Sequence, residues 1–145
     1  MKKTLIAYFT RTGITKKLAE DTAKQTGTDL FAIEPVKEYS SSYLICVGQA
    51  KLENLQNARP AIKAKPQNLQ DYDTIVVMFP IWWFTCPNII LTFLEENDLS
   101  GKTIIPVCTY GSSGKGSSEK AMTAVCKDVA FKPCIEATSL KDKAV

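Results

Sequence analysis

"YDTIVVMFP", residues 72–80, is the stretch on which the reading of the fold turns. From Ile75 onward it is apolar at nearly every position. A strand with one wet face alternates apolar and polar side chains, whereas a strand covered on both faces does not, and the latter is the habit of parallel sheets flanked by helices. Pro87, a few residues on, suits the first turn of a helix. Ile89, Ile90, Phe93 and Leu94 then give that helix an apolar face.

The same alternation extends in both directions. Upstream, "KTLIAYF" (3–9) reads as a first strand, and residues 13–26 carry Ile14, Leu18, Ala19 and Ala23 at helical spacing. "DLFAIEPV" (29–36) reads as a second strand, stopped at Pro35. Residues 36–70 are the least defined, with a helix near 43–57 and then a loop holding Pro60 and Pro66. Downstream, Gly101 fits a break, and "KTIIPVCTY" (102–110) reads as a fourth strand. "GSSGKGSS" (111–118) is a glycine-serine loop. Residues 118–129 follow as a helix with Ala121, Met122, Val125, Cys126 and Val129 on one face, and "KPCIEATSL" (132–140) is a fifth strand. Strands and helices in alternation predict an α/β fold: one domain, 1–145, with a doubly wound five-stranded parallel sheet.

The composition narrows the function. The net charge is +3 and no basic run is interleaved with aromatics, so nucleic-acid binding has no support. No apolar stretch approaches membrane-spanning length. The start, "MKKTLIAYFT", is too short for a signal h-region and Arg11 follows it closely, so it reads as a strand and the expected compartment is the cytoplasm. The five cysteines form no C-x-x-C and read as free structural thiols. The chain has no histidine, which removes zinc's usual nitrogen ligand and excludes Ser-His and Cys-His nucleophile pairs.

In a doubly wound sheet, ligands bind at the carboxyl ends of the strands where strand order reverses. Three loops therefore matter. Thr10, Arg11, Thr12, Gly13, Ile14 and Thr15 join the first strand to the first helix. Their hydroxyls, a glycine and the unpaired amides of a helix start make a phosphate cradle that needs no lysine; the plain alternative is N-capping by one threonine. Other folds with this alternation fail here. A dinucleotide fingerprint wants G-x-G-x-x-G, and this loop has one glycine. A P-loop ending at Gly101-Lys102-Thr103 would need glycine where Glu96 stands. A phospho-acceptor receiver wants acidic groups where the chain has Phe9-Thr10 and Phe79-Pro80.

The second loop is Pro80, Ile81, Trp82, Trp83, Phe84 and Thr85. Adjacent side chains on a strand point to opposite faces, so two neighbouring tryptophans cannot both enter one core. Trp83 or Phe84 can stack on a flat heteroaromatic ring while Trp82 turns inward. The third loop opens with Thr109, Tyr110 and Gly111 and continues through Gly114. Tyr110 offers a second wall, and the glycines let backbone N–H groups aim at ring atoms. A phosphate cradle, an aromatic wall and a glycine-rich loop on one rim are what flavin mononucleotide (FMN) requires.

With "AYFTRTGIT", "YDTIVVMFPIWWFTCP", "TFLEENDLSGKTIIPVCT" and "GSSGKG", the sequence resembles the flavodoxin family over most of its length, and in particular the subgroup with a P-I-W-W turn. The resemblance implies strand order 2-1-3-4-5 and one non-covalent FMN. It places Thr10 to Thr15 at the phosphate, and the 80–85 segment and Thr109 to Gly111 at the isoalloxazine, with Trp83 stacking. Three departures stand out. Where the family usually has glycine after the stacking tryptophan, this chain has Phe84. In flavodoxins that peptide turns over toward the half-reduced ring, a move that glycine's tolerance of positive φ allows, so Phe84 is expected to disfavour it. Electron-carrying flavodoxins are commonly strongly acidic, and this chain is slightly basic. The family's final helix has no counterpart in "SLKDKAV", which leaves a face of the fifth strand for a partner chain, such as a second copy in a homodimer, unless the sequence is a truncated form. Three functions stay open: an electron-transfer protein meeting a redox partner protein, an FMN-dependent reductase taking hydride from a nicotinamide donor for a quinone-type acceptor, and a flavodoxin-like scaffold without flavin.

Overall fold

The computed structural model describes residues 3–110 and 114–138. In chain order the elements are β1 (Thr4–Tyr8), α1 (Ile14–Thr26), β2 (Asp29–Ala32), α2 (Tyr43–Gln56), β3 (Thr74–Pro80), α3 (Asn88–Glu96), β4 (Thr103–Tyr110), α4 (Ser118–Ala124), β5 (Ala130–Phe131) and β6 (Ile135–Thr138). Every strand pairing is parallel, and the sheet order is β2-β1-β3-β4-β5, with β6 also on β4. The order is the expected 2-1-3-4-5, but its last position is filled by two short strands instead of one.

The register shows why. β4 meets its neighbour at Ile104↔Phe131 and next at Val107↔Ile135, so the edge chain spends one residue more than β4 between the two pairings. That extra residue is a bulge at 132–134, where Pro133 has no N–H to give to the ladder. Two other boundaries differ from expectation. β2 ends at Ala32, and Pro35 instead makes an isolated bridge with Ile62. α4 stops at Ala124 and not at 129, because Val125 (φ −104°, ψ 0°) leaves helical geometry and Asp128 takes a positive φ of 58°. Val125, Cys126 and Val129 still pack against the core.

The core lies on both faces of the sheet. Leu5, Ala7, Ile75, Val77, Phe79 and Cys108 point to the side covered by α3 and by Met122 of α4. Ile6, Tyr8, Met78 and Val107 point to the side covered by Ala19 and Ala23 of α1. Unbroken apolarity in β3 is thus explained by period-two alternation into two cores. Among the described residues only α1 lies on the second side, where Val76, Ile105 and Ala137 are half-buried. The segment after Thr138, on which the question of a final helix falls, lies outside the described residues. All five cysteines are free. Among the described residues no helix is long and apolar enough to cross a membrane, and no group of His, Cys, Asp or Glu is arranged to hold a metal ion.

Candidate functional site

The carboxyl ends of β1, β3 and β4 bring the three loops together around a cavity of about 560 Å³. Thr10, Arg11, Thr12, Ile14 and Thr15 line one end of it. Pro80, Ile81, Trp82, Trp83 and Phe84 line one wall, and Thr109 and Tyr110 line another. The first loop turns on Gly13, whose φ of 98° is open to glycine at no steric cost. Its amide donates to Thr10 Oγ1 at 2.9 Å, and its carbonyl accepts from the Lys17 amide at 2.9 Å. The 13-residue α1 therefore starts with its first amides unpaired within the helix, and no acidic side chain stands in that turn.

The three threonines of this loop have different duties. Thr10 accepts from Gly13, as a capping residue does, and keeps its own O–H to donate. Thr15 is buried, and its hydroxyl pairs with that of Thr109 at 2.8 Å, which ties the first loop to β4. Thr12 is exposed. Arg11 reaches away from the helix start and donates to the carbonyls of Ser40 (3.3 Å) and Ser41 (2.9 Å), just before α2. Behind Thr10 and Arg11 lies a second, smaller cavity of about 330 Å³ with Lys16, Glu34, Glu38 and Lys63 on its walls.

The two tryptophans part company in a two-residue hairpin. The Trp82 amide donates to the Thr85 carbonyl (2.9 Å) and the Thr85 amide to the Trp82 carbonyl (3.2 Å). Trp83 and Phe84, at its tip, have φ of 53° and 64°. Positive φ at both central positions is the type I′ pattern, which asparagine and glycine usually fill. Trp82 turns inward, edge-on to Phe9 at 5.4 Å and to Tyr39 at 4.9 Å between ring centres. Trp83 turns outward to the cavity rim, donates from Nε1 to the Val47 carbonyl at 3.0 Å, and has the Lys51 ammonium 4.8 Å from its ring centre. The Phe84 carbonyl accepts from the Ser117 amide at 2.8 Å and lies 3.4 Å from the Ser117 hydroxyl, which also donates to it. Gly116 packs so closely beneath that a Cβ there would stand 1.8 Å from the Phe84 oxygen. Phe84, expected to disfavour the peptide's turning over toward a half-reduced ring, here stands at positive φ, held against the loop that follows β4.

A flavodoxin family model matches residues 3–143. The chain belongs to the flavodoxin family. Among solved structures, this flavodoxin-family chain is similar to a candidate flavoprotein from Bacteroides eggerthii DSM 20697, with 33% identity over 99% of this chain and 95% of that one and a TM-score of 0.86. It is similar in the same degree to another from Bacteroides uniformis ATCC 8492, with 34% identity over 94% and 90% and a TM-score of 0.86. A flavoprotein in complex with FMN from Lactobacillus acidophilus NCFM shares the fold at 19% identity, over 99% and 98% of the two chains, with a TM-score of 0.78. Among curated proteins no match was found.

Twelve of the residues singled out from the sequence line the cavity. Gly13, Thr85 and Gly114 do not. Gly13 shapes the loop from behind, and Thr85 closes the hairpin and faces a small pocket behind Trp82. Gly114 lies against Glu136, where a Cβ would meet Oε2 at 2.6 Å. Gly111 lies outside the described residues. Sequence reasoning missed the fourth wall, Tyr43, Cys46, Val47 and Ala50 of α2. It also missed the support behind Trp82, where the Tyr39 hydroxyl donates to both carboxylate oxygens of Glu53 at 2.7 and 2.9 Å. Burial and this carboxylate push the Tyr39 hydroxyl well above its ordinary range, and burial pushes the Glu53 carboxyl up, with the Tyr39 hydrogen bond pulling the other way. The signal for α2 was its i, i+4 spacing of Cys46 and Ala50, hidden because the helix is apolar on other faces too.

Proposed function

We propose that this flavodoxin-family chain is a cytoplasmic electron-transfer protein that holds one FMN non-covalently. The observation that carries the reading is the single cavity that joins the N-terminus of α1 to an aromatic rim. Its volume falls within the roughly 300–1,000 Å³ of small-molecule sites. The opening amides of α1, with Thr10 and Thr12, supply donors for a phosphate, and Trp83 and Tyr110 supply flat walls for a ring. Bound FMN would supply the capacity to accept and release electrons singly or in pairs. The chain's own part is to bind, orient and shield. Among the lining residues the side chains with ionisable groups are Arg11, Tyr43, Cys46 and Tyr110. None is a carboxylate or an imidazole, and burial pushes the Cys46 thiol up, against the pull of Arg11, so it stays protonated near neutrality. A wall without a carboxylate or an imidazole fits a carrier. Titrating FMN into apo-protein while following flavin and tryptophan fluorescence tests the reading: quenching at micromolar protein is expected, and its absence would refute it.

The second reading, an FMN-dependent NAD(P)H:quinone-type oxidoreductase, is favoured by one feature. The Phe84 carbonyl already has its hydrogen-bond partner in Ser117, which suits chemistry that does not call on that carbonyl. Anaerobic mixing of FMN-loaded protein with NADH and NADPH separates the two. Reduction within seconds supports the enzyme, whereas a carrier stays oxidised until a separate reductase is added.

A further inference from the structure

Helix α2 is apolar on the side away from the cavity as well as on the side toward it. Inward it places Cys46, Ala50 and the half-buried Glu53. Outward, Leu44, Gly48, Leu52 and Leu55 follow one another at i, i+4, i+8 and i+11, which is one stripe on a helix, with Ile45 on its flank. Leu44 is 78% and Leu55 73% exposed, and Ile45 and Leu52 are each more than half exposed. Tyr43 and Phe84, also exposed, carry the patch on toward the cavity rim. Single exposed leucines need no explanation, but a contiguous stripe does.

We propose that this stripe is a two-fold homodimer contact, in which α2 of one copy packs antiparallel on α2 of a second, centred on Gly48. Three observations carry it. The first is the symmetry of the stripe: Leu44 and Leu52 stand four residues to either side of Gly48. A two-fold axis through Gly48 sets Leu44 of each copy on Leu52 of the other, the reciprocal matching an isologous interface demands. The same axis sets Lys51 of each copy beside Ile45 of the other, its ammonium staying over its own Trp83 ring at the edge of the contact.

The second is Gly48 itself. A Cβ there would meet nothing within 4 Å, so the fold of the single chain has no use for a glycine at that position. Glycine inside a helix weakens it. A bare backbone at the centre of the stripe does have a use if another helix approaches it closely. The third is area and charge. The exposed surface of Leu44, Ile45, Leu52 and Leu55 is on the order of 500 Å², so two copies would bury about 1,000 Å² between them, the size at which a specific interface begins. Lys51 is the one charged side chain within it, in keeping with the charge-poor centre of such interfaces. A second copy presents the matching surface without further assumption. The contact lies on α2, not on the fifth-strand side that the sequence suggested, and it does not depend on flavin.

Sedimentation equilibrium of the full chain, with and without FMN, tests it. Wild type is expected to sediment at twice the chain mass at tens of micromolar, and Leu52→Glu as a monomer with an unchanged far-UV circular dichroism spectrum. Gly48→Ala guards against a variant that merely misfolds. It favours the helix but holds two helices apart, so dimer dissociation should rise by about tenfold or more while the isolated chain melts no lower. Gly48→Cys should give a covalent dimer under mild oxidation, and Lys16→Cys, exposed on α1, should not. A wild type that stays monomeric at hundreds of micromolar overturns the proposal, whatever else the stripe then binds. So does a Leu52→Glu variant that remains dimeric.

Discussion

The 10–15 loop and the 82–85 hairpin both require positive φ, and only the first has a glycine to supply it. Gly13 sits at 98° with nothing near its missing Cβ, so that loop is relaxed by its own sequence. Trp83 and Phe84 sit at 53° and 64° with full side chains, a conformation costing on the order of 1–3 kcal/mol per residue. Such a turn persists when its surroundings over-determine it. Here Val47 and Lys51 of α2 hold Trp83, and Gly116 and Ser117 hold the Phe84 carbonyl. One wall of the cavity is therefore autonomous, and the other exists because α2 and the loop after β4 press on it.

This contrast can be broken at its strongest point. Gly116 needs glycine twice over, for its φ of 54° and for the 1.8 Å approach to the Phe84 oxygen. Gly116→Ala should therefore lower stability by about 3 kcal/mol and weaken FMN by about 100-fold, since the turn must shift. Urea unfolding and fluorescence titration read the two effects; an alanine tolerated in both would show that the hairpin stands without its clamp.

Next come the tryptophans. Trp82→Ala removes one of the three rings of the Phe9, Tyr39 and Trp82 cluster from under the hairpin and should cost about 3 kcal/mol in stability. Trp83→Ala should cost under about 1 kcal/mol in stability yet weaken FMN by about tenfold through lost stacking. The Trp83 variant, compared in well-folded protein, should lose more affinity than the Trp82 variant; equal losses would contradict the division of labour.

Smaller effects sharpen the comparison. Gly13→Ala forces an ordinary residue to 98° and should cost about 1–2 kcal/mol, with no clash to add. Phe84→Gly runs the other way. Phe84 is 66% exposed, so little burial is lost. Relief of positive φ should outweigh glycine's greater freedom when unfolded, for a gain of about 0.5 kcal/mol. If Phe84→Gly destabilises the apo-protein, the hairpin is not strained and the comparison fails.

The relaxed region was also the legible one. The 10–15 loop and the β3 strand follow from patterns whose cause is local: apolar runs, a helix start, a glycine where the chain must turn; the strand order was implied by the family resemblance and not by those patterns. Positive φ at Trp83 and Phe84 was unreadable, because its cause lies at Val47 and Ser117, 36 and 33 residues away. The split of the edge strand was readable in principle from Pro133. The α2 wall was obscured by its own composition: leucines facing solvent and small residues facing the cavity blur the periodicity that marks which side is inward. Arg11 has a tie that the sequence did not show. It stands in the phosphate loop and lines the cavity, and its guanidinium also donates to the carbonyls of Ser40 and Ser41 before α2.

The claim at the centre of this account is that the α1 start receives a phosphate while the Trp83 rim receives a ring. Titrating wild-type apo-protein in parallel with FMN and with riboflavin, which has the ring and no phosphate, tests both halves at once. FMN is expected to bind about 100-fold more tightly than riboflavin, corresponding to nearly 3 kcal/mol from the phosphate end, with Trp83→Ala weakening both ligands alike. Equal affinities for the two, or a Trp83→Ala loss confined to FMN, would contradict it.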